Sequence, residues 1–225
     1  MKKKLAILLI AVLSVFTLAA CSGGNSEEDA VRGVATSFLD AMQAGDFVTA
    51  SNYCTENALE GADVEQLANL DQMFYSELGI GEDALSDEAK KSLDDFINSI
   101  LGNFVNSYEI TDVSIDGETA TVNANITYGF DPNAISNINI DDELTSLSQD
   151  YLTEHQDELV EIYTSEGEEA MTLKVVNDIM PSILSLYTDA ILATGEVDDT
   201  LQMTLVKQED GSWIIDDAII SATAE

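Results

Sequence analysis

Two cysteines, one histidine and a large surplus of carboxylates are the groups in this 225-residue chain whose chemistry needs an account. Cys54 has only Cys21 as a possible disulfide partner; with Cys21 otherwise engaged, it reads as a buried free thiol. Its alternative role, a reactive nucleophile, needs a base beside it, and the only histidine, His155, lies far along the chain with no catalytic signature around either. By helical phase His155 falls between Leu144, Tyr151 and Ile162 on an apolar face. It is therefore expected either as a hydrogen-bonded core histidine or as the polar group of an apolar pocket beside Tyr151. Trp213 is either core or a wall of such a pocket. A single histidine cannot supply a His-rich metal site.

The carboxylates invite three readings, and each has a simpler rival. Asp112-x-Ser114-x-Asp116-Gly117 matches the start of a calcium loop, but its twelfth position is Asn123 where a bidentate Glu is required, so a hairpin is the better reading. Asp141-Asp142-Glu143 sits where a helix begins, which the helix dipole favours. The pairs Asp198-Asp199 and Asp216-Asp217 read as solvated, because neighbours on a strand point to opposite faces. No Gly-x-Ser-x-Gly elbow, His-Glu-x-x-His, phosphate-binding glycine loop or Cys-x-x-Cys occurs in the sequence. Neither catalytic, cofactor-binding nor metal-ligating residues are assigned.

Cys21 has a clearer reading. Lys2, Lys3 and Lys4 precede an uncharged, largely apolar run from Leu5 to Phe16, and Leu18-Ala19-Ala20 lead into Cys21. The run is shorter than the roughly 20 apolar residues a membrane span needs. A basic start, a short apolar core and small residues before the cut make a signal peptide of residues 1–20, and the Leu-x-Ala-Cys ending resembles the bacterial lipobox. The resemblance implies diacylglycerol on the Cys21 thiol and cleavage before it, with residues 21–28, including Gly23-Gly24-Asn25-Ser26, as a short flexible tether. Two acyl chains, at about 0.8 kcal/mol per buried methylene, hold a protein to a bilayer where one is marginal. The membrane, reached through that lipid, is the expected partner, and the extracellular face of the cell membrane the expected location.

Charge narrows the rest. The chain carries 43 acidic and 8 basic residues, a formal net charge of −35. Loss of the leader leaves only Arg32, Lys90, Lys91, Lys174 and Lys207 as cations. Such a surface cannot neutralise phosphates, so nucleic acid is excluded as a partner, and anionic headgroups repel it. About 200 residues without a Pro- or Gly-rich linker are expected to form a single domain over 29–225.

Periodicity supplies the elements. Val31, Val34, Phe38 and Met42 mark a helix from Glu27 to Ala44 capped by Ser26 and stopped by Gly45, and Asp46 can cap a second, short one through Phe47 and Ala50. Val64, Leu67, Leu70, Phe74 and Leu78 predict a third over Asp63–Leu78; Leu93, Phe96, Ile97, Ile100, Leu101 and Phe104 predict a fourth over Ser86–Phe104. The period then becomes two: Ile110, Val113 and Ile115, a turn at Asp116-Gly117, and Ala120 to Phe130 make a hairpin. Helices over Asp141–Thr164 and Glu169–Ala193 follow, the second expected to bend or break at Pro181, on the side away from its apolar stripe. A hairpin turning at Asp210-Gly211 closes the chain. The expected fold class is α+β, an antiparallel curved sheet of two hairpins packed against several helices.

Two stretches carry a resemblance. Val31-x6-Phe38 through Ala44-Gly45-Asp46-Phe47 with Ala50 and Tyr53, and Asp210-Gly211-Ser212-Trp213-Ile214-Ile215-Asp216, resemble small Gram-positive lipoproteins with domains like nuclear transport factor 2 and ketosteroid isomerase. The resemblance implies a cone of curved sheet around helices and a surface location, but no catalytic residues; the helical stretch 141–193 departs from that compact cone. A non-enzymatic binding or interaction domain for an unknown small molecule or protein is the leading expectation. An enzyme for a small apolar substrate in the cone is one alternative. A structural envelope lipoprotein working through protein partners, with an exposed apolar patch, is the other.

Overall fold

The computed structural model describes residues 26–61, 72, 74–76 and 81–221. The leader, Cys21 and most of the tether lie outside them, as does the helix expected over Asp63–Leu78 except for residues 72 and 74–76, which are helical.

Helix α1, Ser26–Gln43, ends where the sequence predicts. Gly45 takes φ 71°, its N–H donates to the Met42 carbonyl at 3.0 Å and the Asp46 N–H donates to Ala41 at 2.9 Å, which is a Schellman closure of the helix. Asp46 then caps α2, Phe47–Ser51, by accepting from the Thr49 backbone N–H at 2.9 Å. Helix α3 spans Glu56–Gly61 and α4 spans Asp87–Gly102, with Ser86 Oγ accepting from the Ala89 N–H as its cap. Strands β1 (Ser107–Asp116), β2 (Thr119–Tyr128), β3 (Val197–Lys207) and β4 (Trp213–Ser221) form one antiparallel sheet in the order β1-β2-β3-β4.

One sheet face carries the core. Ala120, Val122, Ala124, Ile126 and Tyr128 of β2 and Leu201, Met203 and Leu205 of β3 point toward Val31, Ala35, Phe38, Leu39, Phe47 and Ala50 of α1 and α2. The opposite face of β2 bears Thr119, Thr121, Asn123, Asn125 and Thr127, the polar half of a period-two pattern. Both edge strands are bulged. In β1 the register slips between Ile110 and Asp112, so Thr111 is extra and Ile110 and Val113 share the core face despite their odd spacing. In β4 the slip falls at Asp216, between the Thr204–Asp217 and Leu205–Ile215 pairs. Instead of standing solvated, Asp216 accepts from Thr55 Oγ1 at 2.8 Å, and its carbonyl accepts from Asn57 Nδ2 at 3.0 Å. Residues 53–57 thereby cover part of the β4 edge, with Ile215 donating to Tyr53 and accepting from Thr55.

A helical layer fills the connection between β2 and β3. Helices α5 (Asp141–Glu154), α6 (Gln156–Glu166) and α7 (Glu168–Leu192) run in sequence, α7 packing most extensively on α4. Leu85, Ala89 and Leu93 meet Met180 and Leu184 in a second core, with Phe74 and Tyr75 against it. Ile100, Phe130 and Ile191 form a third. Two expectations are corrected here. The single helix over Asp141–Thr164 is broken at His155, whose backbone (φ −106°, ψ 12°) ends α5 and starts α6. Of the bend or break expected at Pro181, the break does not occur: Pro181 sits inside a continuous α7 and lines the α4–α7 cleft.

Candidate functional site

The sequence singled out Tyr151, His155 and Trp213, and the structure separates them. Trp213 is buried in the sheet core, with Lys207 Nζ 5.7 Å above its ring. Tyr151 and His155 lie together in the helical layer, rings 4.4 Å apart and stacked at 27°. His155 is not buried as expected: its side chain is 34% exposed. The reason is the thinness of this layer, since α5 buries no residue and α6 buries only Leu159, so a position on the inner face does not reach a core.

Both residues belong to a polar network that ties α5 and α6 to α7. His155 Nδ1 lies 3.1 Å from Glu158 Oε2, Lys174 Nζ lies 3.4 Å from Glu158 Oε1 and also binds Asp178, and Tyr151 Oη donates to Asp178 Oδ2 at 2.8 Å. Hydrogen bonds from His155 and then Lys174 hold the Glu158 carboxyl below its ordinary range. Partial burial pushes Asp178 upward, but the bonds from Lys174 and Tyr151 together outweigh it and hold that carboxyl low. Partial burial and the Asp178 bond raise the Tyr151 phenol to about 12.

A depressed carboxyl stabilises the fold above its unfolded value and ceases to as pH falls through the folded one. Asp178→Asn is therefore expected to lower stability by about 1 kcal/mol at pH 7, with the gap to the native protein narrowing as pH falls below the ordinary aspartate value of about 4 and through the lower folded one. Paired melting curves across that range check it; a gap that ignores pH would mean that charge on Asp178 contributes nothing.

Beside this network lies an apolar groove that the sequence reading missed. Leu152, Gln156, Leu159, Val160 and Tyr163 of α5 and α6, with Met171 of α7, line a volume of about 380 Å³. Leu152, Val160 and Tyr163 are 50%, 57% and 54% exposed. The available signal was a second set of apolar residues, Leu152, Val160 and Tyr163, around Gln156 and beside the inward set Leu144, Leu147, Tyr151, Leu159 and Ile162. A second cleft of about 260 Å³, between α4 and α7, mixes Phe96, Pro181 and Leu184 with Ser92, Ser99, Ser185, Thr188, Asp95 and Asp189.

Neither arrangement contains an activated nucleophile. Cys54 is buried and free as expected, and burial raises its thiol to about 12, far from a thiolate at neutral pH. Asp112, Ser114 and Asp116 lie on β1 in regular pairing with β2, the hairpin rather than a cation loop. Among the described residues no His, Cys, Asp and Glu cluster has metal-binding geometry, and no helix is long and apolar enough to cross a membrane.

No protein-family model matches the chain, and no curated protein matches it. Among solved structures it is similar to ycdA, a candidate lipoprotein of Bacillus subtilis strain 168, at 16% identity and a TM-score of 0.41. The alignment covers 84% of this chain and 52% of that one, so the chain spans about half the length of its structural neighbour. At so low a TM-score, any functional reading must rest on this chain's own residues.

Proposed function

We propose that this protein is a lipid-anchored domain on the extracellular face of the cell membrane that works by binding a partner rather than by catalysis. The anchor rests on Leu18-Ala19-Ala20-Cys21. The binding role rests on one observation, the uncovered apolar groove of α5 and α6. Soluble chains bury such surface unless something else covers it, and a groove of this kind marks interaction sites. The resemblance to nuclear transport factor 2-like lipoproteins agrees with the anchor and with a scaffold of sheet and helices.

A photo-crosslinking residue placed at Val160 of the full chain, in cells of the organism that makes it, tests the reading. A discrete adduct in the membrane fraction is expected from position 160 and not from exposed Gln202 on the far sheet face. Cys21→Ser is expected to release the protein from that fraction. No adduct, or the same adducts from both positions, would remove the binding role; retention of the Cys21→Ser protein on membranes would remove the anchor.

A further inference from the structure

The cleft between α4 and α7 carries its chemistry in its own lining. Small side chains at four positions, Ser92 and Ser99 of α4 and Ser185 and Thr188 of α7, leave about 260 Å³ between helices that elsewhere pack through Leu93, Met180 and Leu184. Phe96, Pro181 and Leu184 supply the apolar part of the lining. The polar part is rich in acceptors and poor in donors. Ser92 Oγ donates to the Glu88 carbonyl at 2.9 Å and Thr188 Oγ1 to the Leu184 carbonyl at 2.8 Å, so both have only lone pairs left to offer. Asp95 and Asp189 add further acceptors, one from each helix, and no Lys, Arg, His, Asn or Gln lines the cleft.

The cleft also lacks a cation where the fold favours one. Ser86 donates to Asn177 at one end and Ile100 clusters with Ile191 at the other, so α4 and α7 run parallel with their negative ends together. Neither helix has a basic residue in its last turn. Asp189 lies in the last turn of α7, and among the described residues its carboxylate enters no ion pair or hydrogen bond. Asp95 is paired with Lys91 one turn away on its own helix, an exposed pair of the kind that contributes little.

We infer that this cleft binds a short aliphatic diamine, with one ammonium on Asp189, the other on Asp95 in place of Lys91, and the methylenes against Phe96, Pro181 and Leu184. An ammonium group donates and does not accept, which matches a lining of acceptors, whereas an anion would meet two carboxylates and no cation. A divalent metal needs more oxygens than two separate carboxylates supply, and among the described residues no cluster has metal-binding geometry. In the parallel packing Asp189 stands about three residues, roughly 4.5 Å of helix rise, beyond Asp95, and the axes of packed helices lie about 8 to 10 Å apart. Two charges separated by a few methylenes suit that spacing, and a single compact cation does not.

So acidic a protein attracts polyvalent cations all over its surface, so the test must isolate the cleft. The protein as purified from its host is titrated calorimetrically, at fixed ionic strength, with putrescine, butylamine, glucosamine and magnesium. One putrescine per chain is expected, bound at least ten-fold more tightly than butylamine and retained against an equal concentration of magnesium. Ser185→Leu keeps every charge but fills the cleft, and Asp189→Asn keeps the shape but removes the unpaired carboxylate; each is expected to weaken putrescine at least ten-fold. Asp157→Asn, which removes one exposed charge on α6, is expected to change it less than two-fold. Ser185 and Asp189 are exposed, so both variants keep the fold, which their melting curves verify. Several putrescines per chain with no response to Ser185→Leu, equal binding of butylamine, displacement by magnesium, or an equal loss in Asp157→Asn would overturn the inference and leave only a diffuse layer of counter-ions. Tighter binding of glucosamine than of putrescine would overturn it too and assign the cleft to an amino sugar. None of these outcomes involves position 160, so the partner-binding reading stands or falls separately.

Discussion

Phe104→Ala is expected to cost about 3 to 5 kcal/mol, a large fraction of the stability of a chain this size. Phe104 lies between the end of α4 and the start of β1 and is shared by two cores, packing against both the sheet core and the Ile100–Phe130–Ile191 cluster. It meets Phe47 at 5.5 Å and 79°, Tyr128 at 5.3 Å and 73°, and Phe130 at 6.0 Å and 66°. All three are edge-on contacts, the arrangement ring quadrupoles favour. Removing the ring empties the junction through which the sheet and the helical layer sense each other. Urea unfolding of the variant should therefore show a lower midpoint and, by circular dichroism and Trp213 fluorescence, transitions that no longer coincide. Phe104→Leu should restore most of the loss. A change below about 1 kcal/mol with coincident transitions would mean that the two layers are coupled elsewhere.

Gly129→Ala is expected to destabilise by about 3 kcal/mol although it adds a single methyl group. Gly129 follows β2, and a Cβ there would stand 2.4 Å from the Asn103 carbonyl oxygen and 2.7 Å from Asn106 Oδ1. The same carbonyl accepts the Gly129 N–H at 2.9 Å, so relief of the clash breaks the bond. The surroundings have little room to yield. Asn106 donates to the Thr127 carbonyl and to Glu196, its own carbonyl accepts from Gln43, and Asn103 Nδ2 donates to Ser99. At Gly117, where nothing lies within 4 Å of the added carbon, alanine should cost only the strain of φ 65°, about 1 kcal/mol. Equal losses at both glycines in thermal melts would refute the close approach at Gly129.

Much of this architecture was legible beforehand because it is written in local period. The Ser86 and Asp46 caps, the stop at Gly45 and both hairpins follow from residues within a few positions of one another. Even the β1 bulge left a trace, since Ile110 and Val113 cannot share a face of an unbroken strand. The candidate groove was less legible. Leu144, Leu147, Tyr151, Leu152, Leu159 and Ile162 read as one apolar set that leaves out Val160 and Tyr163, because a helix with apolar residues on two sides does not say which side its neighbours will cover.

The sequence by itself determined the α+β class, the identity of the hairpins, the side of the sheet that is buried and the strong negative charge, because each depends on composition or on a repeat of two or 3.6 residues. It also places Cys21 in the setting that motivates the anchor. Tertiary structure decided what depends on distant segments meeting. Gly129 must stay bare because Asn103 arrives beside it, Asp216 is engaged because residues 55–57 cross β4, and Phe104 matters because two cores converge on it. His155 is half-exposed, and Val160 and Tyr163 face outward, because α5 and α6 have α7 on one side and open surface on the other. Periodicity can orient a side chain toward a neighbour, but only the packed chain supplies the neighbour.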